Sequence, residues 1–372
     1  MTTLLPTTPK DDGFRVPPEF DRHWGCWMLW PERADVWRLG AKPAQKVFAE
    51  VAEAIAESEF VTVGVSEVQF ENARARLSAR IRVIEVSYND AWCRDTGPTF
   101  VCNAVGEVRG IDWVFNAWGG LERGLYFPWD KDDRLARKIM GIERVDGYRA
   151  PLTFEGGALL VDGQGTAIVT VPTVVGTGKN AMSRAEAEVV LNRYLGTDKI
   201  IWLPRGVIGD ETGGHIDVLC AFAAPGRLLL SWPDDRTSPQ AEVAHEAFEI
   251  LNRETDATGK RLEIIKVPEP PPLVITQEEA AGIDWKEGSY PRRAGDLVPA
   301  THINAYIANN SVILPVFGLS TDESAVRIYE SAFPGRRIKP ILSREIALGG
   351  GNIHCITQQV PLSKVQPWLG AD

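Results

Sequence analysis

The chain has 372 residues, with 40 Lys+Arg against 50 Asp+Glu and a formal charge of -10. At roughly 150 residues per domain this length allows two or three domains, or one domain built from repeats. Hydrophobic residues make up 44% and charged residues 24%, an ordinary globular balance, and the acid excess argues against general nucleic-acid binding, which needs basic surface to neutralise phosphates.

No apolar run approaches the ~18 residues of a membrane-spanning helix: Ile216–Ala224 is broken by Asp217, and Val312–Leu319 is short. The amino terminus, MTTLLPTTPKDDG, lacks the basic-then-apolar order of a signal peptide. Residues 1–13 read as a loose polar tail, ahead of a single domain over 14–372. The five cysteines (Cys26, Cys93, Cys102, Cys220 and Cys355) form no CxxC pair and cannot all be paired. Free thiols in a reducing, cytoplasmic compartment fit best.

In chain order, Val61–Val65 is a β-branched run, and Ser66 with Gln69 has capping-box spacing. Arg82–Val86 and Ala167–Val171 are further strand candidates. Ser183 with Glu186 starts a helix, and Ser238 followed by Pro239 is a cap with proline at the first helical position. Ile264–Val267 reads as a strand, Pro268–Pro272 as a five-residue extended spacer, Val312–Val316 as a strand, and Ser320 with Glu323 as another helix start.

Repetition appears when the glycine-rich segments are stacked. RDTGPTFVCNAVGEVRGIDW begins at Arg94, FEGGALLVDGQGTAIVTVP at Phe154 and TGGHIDVLCAFAAPGRLLLSWP at Thr212; THINAYIANNSVILPVFG begins at Thr301 and LGGGNIHCITQQVP at Leu348. Most share a polar residue, small residues, a strand, a turn such as Asp162-Gly163 or Pro225-Gly226, and a returning strand. Recurrence every ~50–90 residues suggests an α/β array of about five units whose glycine-rich ends converge on one pocket.

Several residues in these segments can do chemistry. Cys355 follows Gly349-Gly350-Gly351-Asn352, where glycines let the backbone approach another group closely. His215 and Asp217 lie two apart in GGHIDVL and, on a strand, would share a face. His354 is a rival base to His215, but as the neighbour of Cys355 on a strand it would face away from the thiol. Asp95 and Glu155 begin equivalent units; the alternatives are a pair with Arg94 and a strand-end cap. Buried carboxylates require a cation or other partner, so three of them beside a cysteine invite a positive ligand. A planar guanidinium offers donors in a fork that carboxylates match. Asp210 and Glu211 just ahead of His215 offer further negative charge, the alternative being a solvated turn.

These residues carry a resemblance. NDAWCRDTGPTF, FNAWGG (Phe115–Gly120), FEGG, WLPRG (Trp202–Gly206), GDETGGHID, FPGR (Phe333–Arg336) and GGGNIHCITQQ resemble the agmatine deiminases, of the guanidine-modifying superfamily, over about 14–359. The resemblance implies a pentein fold, a five-bladed pseudo-symmetric α/β propeller. It also implies a nucleophile at Cys355, an acid/base at His215 oriented by Glu155, and a guanidinium clamp of Asp95 and Asp217. Trp92 would pack beside the substrate, and Trp118, Gly350, Gly351, Asp210 and Glu211 join the binding set. The family pattern differs at Gly213, at Val218 and in TVVGTGKNAMS, positions that bear on the substrate's distal end.

The implied reaction is hydrolysis of agmatine to N-carbamoylputrescine and ammonia, a step of putrescine and polyamine biosynthesis, with no metal and no organic cofactor. The five scattered histidines do not form the DxHxD clusters of a metal-dependent guanidine hydrolase. A peptidyl-arginine or free-arginine deiminase uses the same chemistry, an amidinotransferase shares the intermediate, and an inactive binding propeller would be expected to lose the nucleophile. The expected partner is a small cationic guanidine, with neither nucleic acid nor membrane; a homo-oligomer, dimer or tetramer, stays open.

Overall fold

The β-branched runs pair into small sheets, and those sheets organise the chain. The computed structural model describes residues 2–176 and 178–370. It is a mixed α/β fold with five sheets of three or four strands and one two-stranded ribbon. Four of the sheets repeat one plan, an antiparallel hairpin whose second strand pairs in parallel with a third. They are Thr99–Asn103, Val108–Val114 and Gly147–Thr153; Leu160–Val161, Thr166–Thr170 and Lys199–Leu203; Cys220–Ala224, Arg227–Trp232 and Glu263–Pro268; and Tyr306–Ile307, Ser311–Val316 and Arg337–Leu342. The predicted turns at Asp162-Gly163 and Pro225-Gly226 lie between hairpin strands, with Gly163 and Gly226 at positive φ.

The fifth sheet joins the two ends of the chain. Thr357–Pro361 pairs antiparallel with His23–Leu29, which pairs in parallel with Phe60–Val65 and then Arg82–Glu85. The last repeat thus borrows its returning strand from near the amino terminus. Val360 and Cys26 are both buried in the apolar core around this sheet.

Helix starts follow their caps where the cap is free to act. Ser183 and Glu186 form a complete capping box on Arg184–Leu195, and Ser238 caps Pro239–Arg253 through Ala241 N. The other two starts differ. Ser66 leads a 3-10 turn that runs into the helix Phe70–Arg76, but its hydroxyl donates to Glu32 instead of capping. Ser320 lies inside its helix, where Asp322 accepts the N–H groups of Phe317, Gly318 and Leu319. The expected loose tail is tied down: Leu5 N donates to Gly147 O, Thr8 is buried, and Lys10 pairs with Asp198 at 2.7 Å. Among the described residues no helix is long and apolar enough to cross a membrane.

Replacing Ser183 with alanine removes the hydroxyl that accepts from Glu186 N. Unfolding in urea is expected to show a loss of about 1 kcal/mol with activity unchanged, because that helix start is exposed.

Candidate functional site

Each of the five sheets is entered through a short turn, and these turns carry the polar side chains. Cys93–Thr96 precedes the first sheet in chain order and supplies Asp95; Gly156–Ala158 follows Glu155; His215 leads the 3-10 turn Ile216–Val218, which holds Asp217. Asn304 precedes Tyr306–Ile307, and Cys355 sits in the turn before Thr357–Pro361. All of these side chains are buried. The expectation that His215 and Asp217 share a strand face is corrected here. Gly213 and Gly214 take positive φ, turning the chain into a 3-10 turn before the strand begins.

His215 and Asp217 nevertheless meet, and Gly157 shows how tightly. A Cβ on Gly157 would lie 2.5 Å from His215 Nδ1, 2.9 Å from Asp95 Oδ1 and 3.1 Å from Asp217 Oδ2. Only a residue without a side chain leaves room for the three groups to share this space. Asp95 accepts from Gly157 N and from Trp118 Nε1, each at 2.9 Å. His215 directs Nε2 toward Glu155 Oε2 at 3.5 Å and Nδ1 toward Asp95 Oδ2 at 3.9 Å. Cys355 Sγ lies 3.8 Å from Asp217 Oδ2 and 3.3 Å from Asn304 Oδ1. Gly351 separates Cys355 from Trp92, its added Cβ falling 2.6 Å from the Trp92 ring and 3.1 Å from Sγ. Trp92 donates to Asp90 and packs against Trp37.

The charges compete in this dry space. Burial pulls His215 down, but Asp95 and Glu155 outweigh it and hold its pKa at about 9. Burial raises Asp95 to about 6, with His215 opposing and Asp217 and Glu155 adding. Burial also drives the Cys355 thiol well above its usual range, and Asp217 and Asp95 push the same way. Burial raises Glu155 too, yet the Lys179 and His215 charges bring it below the ordinary carboxylate range. Glu155 Oε2, His215 Nε2 and Asp217 Oδ1 are buried without hydrogen-bond partners among the described residues. Orphaned polar atoms gathered in one cluster call for a ligand, and acceptors in this number fit a forked cationic donor.

The two acids proposed for a distal ammonium sit differently. Asp210 is occupied within its own loop, accepting from Thr212, from Gly214 N at 3.1 Å and from His215 N at 2.6 Å. Glu211 is half-buried and paired with Arg292, which also donates to Gly349 O. One Glu211 oxygen has no partner, and an added Cβ on Gly350 would come within 2.5 Å of it. Trp118, Lys179, Asp210 and Glu211 line a cavity of about 740 Å³.

Sequence reasoning passed over several residues. His354, set aside as a base, turns away from the thiol and bridges Asp217 Oδ2 and Glu19 Oε2, at 2.7 Å each. Arg94 pairs with Glu19 rather than with Asp95. Against burial and the nearby Arg94, the Glu19 and Asp217 charges raise the His354 pKa. Asn304 donates to Asp217 O, besides accepting from Cys355 N. Lys179 reaches Glu155 Oε1 at 2.6 Å. THINAYIANN showed Asn304 as the polar member of the fourth repeat; the others had no local signal.

Comparisons with known proteins point to one family. Residues 15–361 match the family model described as Porphyromonas-type peptidyl-arginine deiminase, and the chain belongs to that family. A Listeria monocytogenes chain named provisionally as an agmatine deiminase is 52% identical over 359 residues, covering 96% of this chain and 99% of the relative. A Pseudomonas aeruginosa protein named agmatine deiminase is 49% identical over 358 residues, 95% of this chain and 97% of its own. The solved structure of the Enterococcus faecalis agmatine deiminase superposes with a TM-score of 0.95 at 43% identity, covering 98% of this chain and 100% of that one.

Gly157→Ala drives a methyl group into His215 and Asp95. Displacing catalytic groups by about an ångström costs ~100-fold, so ammonia release is expected to fall at least that far while circular dichroism retains the parent spectrum. Turnover within tenfold of the parent would contradict the packing described.

Proposed function

We propose that this chain is an agmatine deiminase, hydrolysing the guanidinium of agmatine to N-carbamoylputrescine and ammonia, a step of putrescine and polyamine biosynthesis. The observation that carries the reading is the buried meeting of Asp95, Asp217, Glu155 and His215 at Cys355. Burial, with the Asp217 and Asp95 charges, raises the thiol's pKa in the empty site, so an incoming guanidinium both satisfies the acids and favours the thiolate. The five sheets are taken as blades of one pseudo-symmetric propeller over 14–372, which acts as one catalytic domain in the cytoplasm.

In this mechanism Asp95 and Asp217 hold the guanidinium with its central carbon beside Sγ. The thiolate attacks that carbon, and His215, charged up to a pKa of about 9, gives its proton to the departing ammonia. The carbon remains bound to sulfur as an S-alkylthiouronium. Neutral His215 then takes a proton from water, whose oxygen displaces the thiolate and leaves the ureido product. Cys355 is the nucleophile of the first step and water of the second, with His215 carrying a proton in each.

Agmatine carries a distal ammonium and no carboxylate, whereas arginine carries an α-carboxylate that requires a cation. The cavity lining offers Glu122, Asp210 and Glu211 against Arg123 and Lys179, and Lys179 is committed to Glu155. The open oxygen of Glu211, held by Arg292, is the acceptor assigned to the distal ammonium. A like charge there repels arginine's carboxylate.

Three outcomes follow from this chemistry. Cys355→Ser is expected to abolish ammonia release with the melting curve nearly unchanged, since a hydroxyl is far less ionised; activity within tenfold of the parent would remove Cys355 from the reaction. A profile of kcat/KM against pH is expected to be bell-shaped with limbs near 6 and 9. Below the first, Asp95 is neutral and the clamp weakens; above the second, His215 has lost the proton it donates. Finally, kcat/KM for agmatine is expected at least ~100-fold above arginine, about 2.7 kcal/mol, and Glu211→Gln is expected to shrink that ratio mainly by weakening agmatine. Equal use of arginine or of a blocked arginine peptide would overturn the substrate while sparing the thiol chemistry.

A further inference from the structure

Lys179 has a setting that a structural ion pair does not explain. Its side chain is only 2% exposed, and its partner Glu155 is 0% exposed. Among the described residues the ammonium makes one hydrogen bond, to Glu155 Oε1 at 2.6 Å. An ammonium has three donors, and removing it from water for one partner is a poor source of stability.

The backbone around Lys179 is nevertheless fixed from both sides. Gly178 takes a φ of +76 and lies so close to Gly119 that an added Cβ would be 2.5 Å from its carbonyl oxygen. Asn116 Nδ2 donates to Gly178 O at 2.7 Å. On the other side the Asn180 amide is used fully, accepting from Thr153 N and donating to the carbonyls of Thr153 and Val174. The 116–119 segment that grips Gly178 also carries Trp118, whose indole donates to Asp95. Two interlocked loops therefore each place one donor on one catalytic carboxylate: Trp118 on Asp95, Lys179 on Glu155.

We infer that Lys179 is a positioning residue of the reaction, its buried ammonium holding Glu155 ionised and engaged through Oε1 so that Oε2 faces His215. This inference rests on the guanidine-hydrolysing reading and assigns the charge balance within that site. Around the Lys179–Glu155 pair stand Asp95, Asp217 and Asp210, the imidazole of His215 and the thiol of Cys355, with Glu122 and Arg123 at the cavity mouth. Counted over Asp95, Asp217, Glu155, His215⁺ and Lys179⁺ alone, the balance is one net negative charge, which the substrate guanidinium opposes. Without Lys179 the excess is two. Surplus negative charge attracts a cation at least as well but opposes the thiolate, so the loss falls on kcat rather than on KM. It also raises the pKa of every group nearby, and both limbs of the pH profile move to higher pH.

Lys179→Gln keeps a donor for Glu155 without the charge, and Lys179→Arg keeps the charge. With agmatine and ammonia release as the assay, Lys179→Gln is expected to lower kcat at least tenfold with KM unchanged or reduced. Both limbs of its pH profile are expected to move alkaline, while Lys179→Arg stays within about threefold of the parent with its profile in place. A Gln variant within twofold of the parent and an unmoved profile would overturn the inference, as would an Arg variant as impaired as Gln. So would a Gln variant whose loss lies in KM or in melting temperature alone, since that is a structural role. Failure of the underlying reading shows separately, as a parent enzyme that releases no ammonia from agmatine.

Discussion

The burial of three carboxylates around one thiol is the constraint on which the site depends. Asp95, Glu155 and Asp217 each come from a different turn, and the fold brings all three out of water together. Left alone, such groups would take up protons, because burial and like charge both disfavour ionisation. Each one instead has a dedicated counterweight. Asp95 has the Trp118 indole and the Gly157 N–H; Glu155 has Lys179 and His215; Asp217 has His354. His354 in turn is held by Glu19, which Arg94 steadies and which stays ionised with a pKa of about 2 despite its burial. The ionic network thus runs from these turns to the amino-terminal segment.

The same arrangement explains why a cysteine can be both buried and chemically useful. In the empty site burial and the Asp217 and Asp95 charges outweigh the Asn352 backbone hydrogen bond and oppose the thiolate, which keeps a reactive group quiet in the absence of substrate. In the proposed reaction a cation of the correct shape reverses the field, so recognition and activation become one event. Lipid, nucleic acid and neutral amides offer no such reversal. The glycines at 157 and 351 serve this economy of space, each standing where a methyl group would separate groups that have to touch.

Much of this was legible in the sequence, and the reasons differ by residue. The hairpin repeats were visible because turn chemistry and β-branched runs are local signals, as were the capping box of Ser183 and the cap at Ser238. Cys355, His215, Glu155, Asp95 and Asp217 stood out as chemical residues beside glycines at equivalent places in the repeat, and the structure brings them together. Local geometry was harder to read. His215 and Asp217 were expected on a strand, but two glycines at positive φ start the strand only at Cys220. The closing partnership of Thr357–Pro361 with His23–Leu29 has no local signature. The supporting charges were hidden for the same reason: Glu19 meets His354 across 335 positions, and nothing beside Lys179 in the chain announces Glu155. Asp210 shows the opposite error, a carboxylate read as facing a ligand that is consumed by its own loop.

The account's central claim is that the guanidinium carbon passes through a covalent bond to Cys355. Its most direct test is mass spectrometry of the His215→Ala protein quenched during incubation with agmatine, since loss of the imidazole is expected to slow hydrolysis of the adduct as well as its formation. The account predicts a species heavier by agmatine less ammonia, mapped by digestion to the peptide containing Cys355. The same mass on Cys26, Cys93, Cys102 or Cys220, or continued ammonia release with no adduct at any quench time, would contradict it.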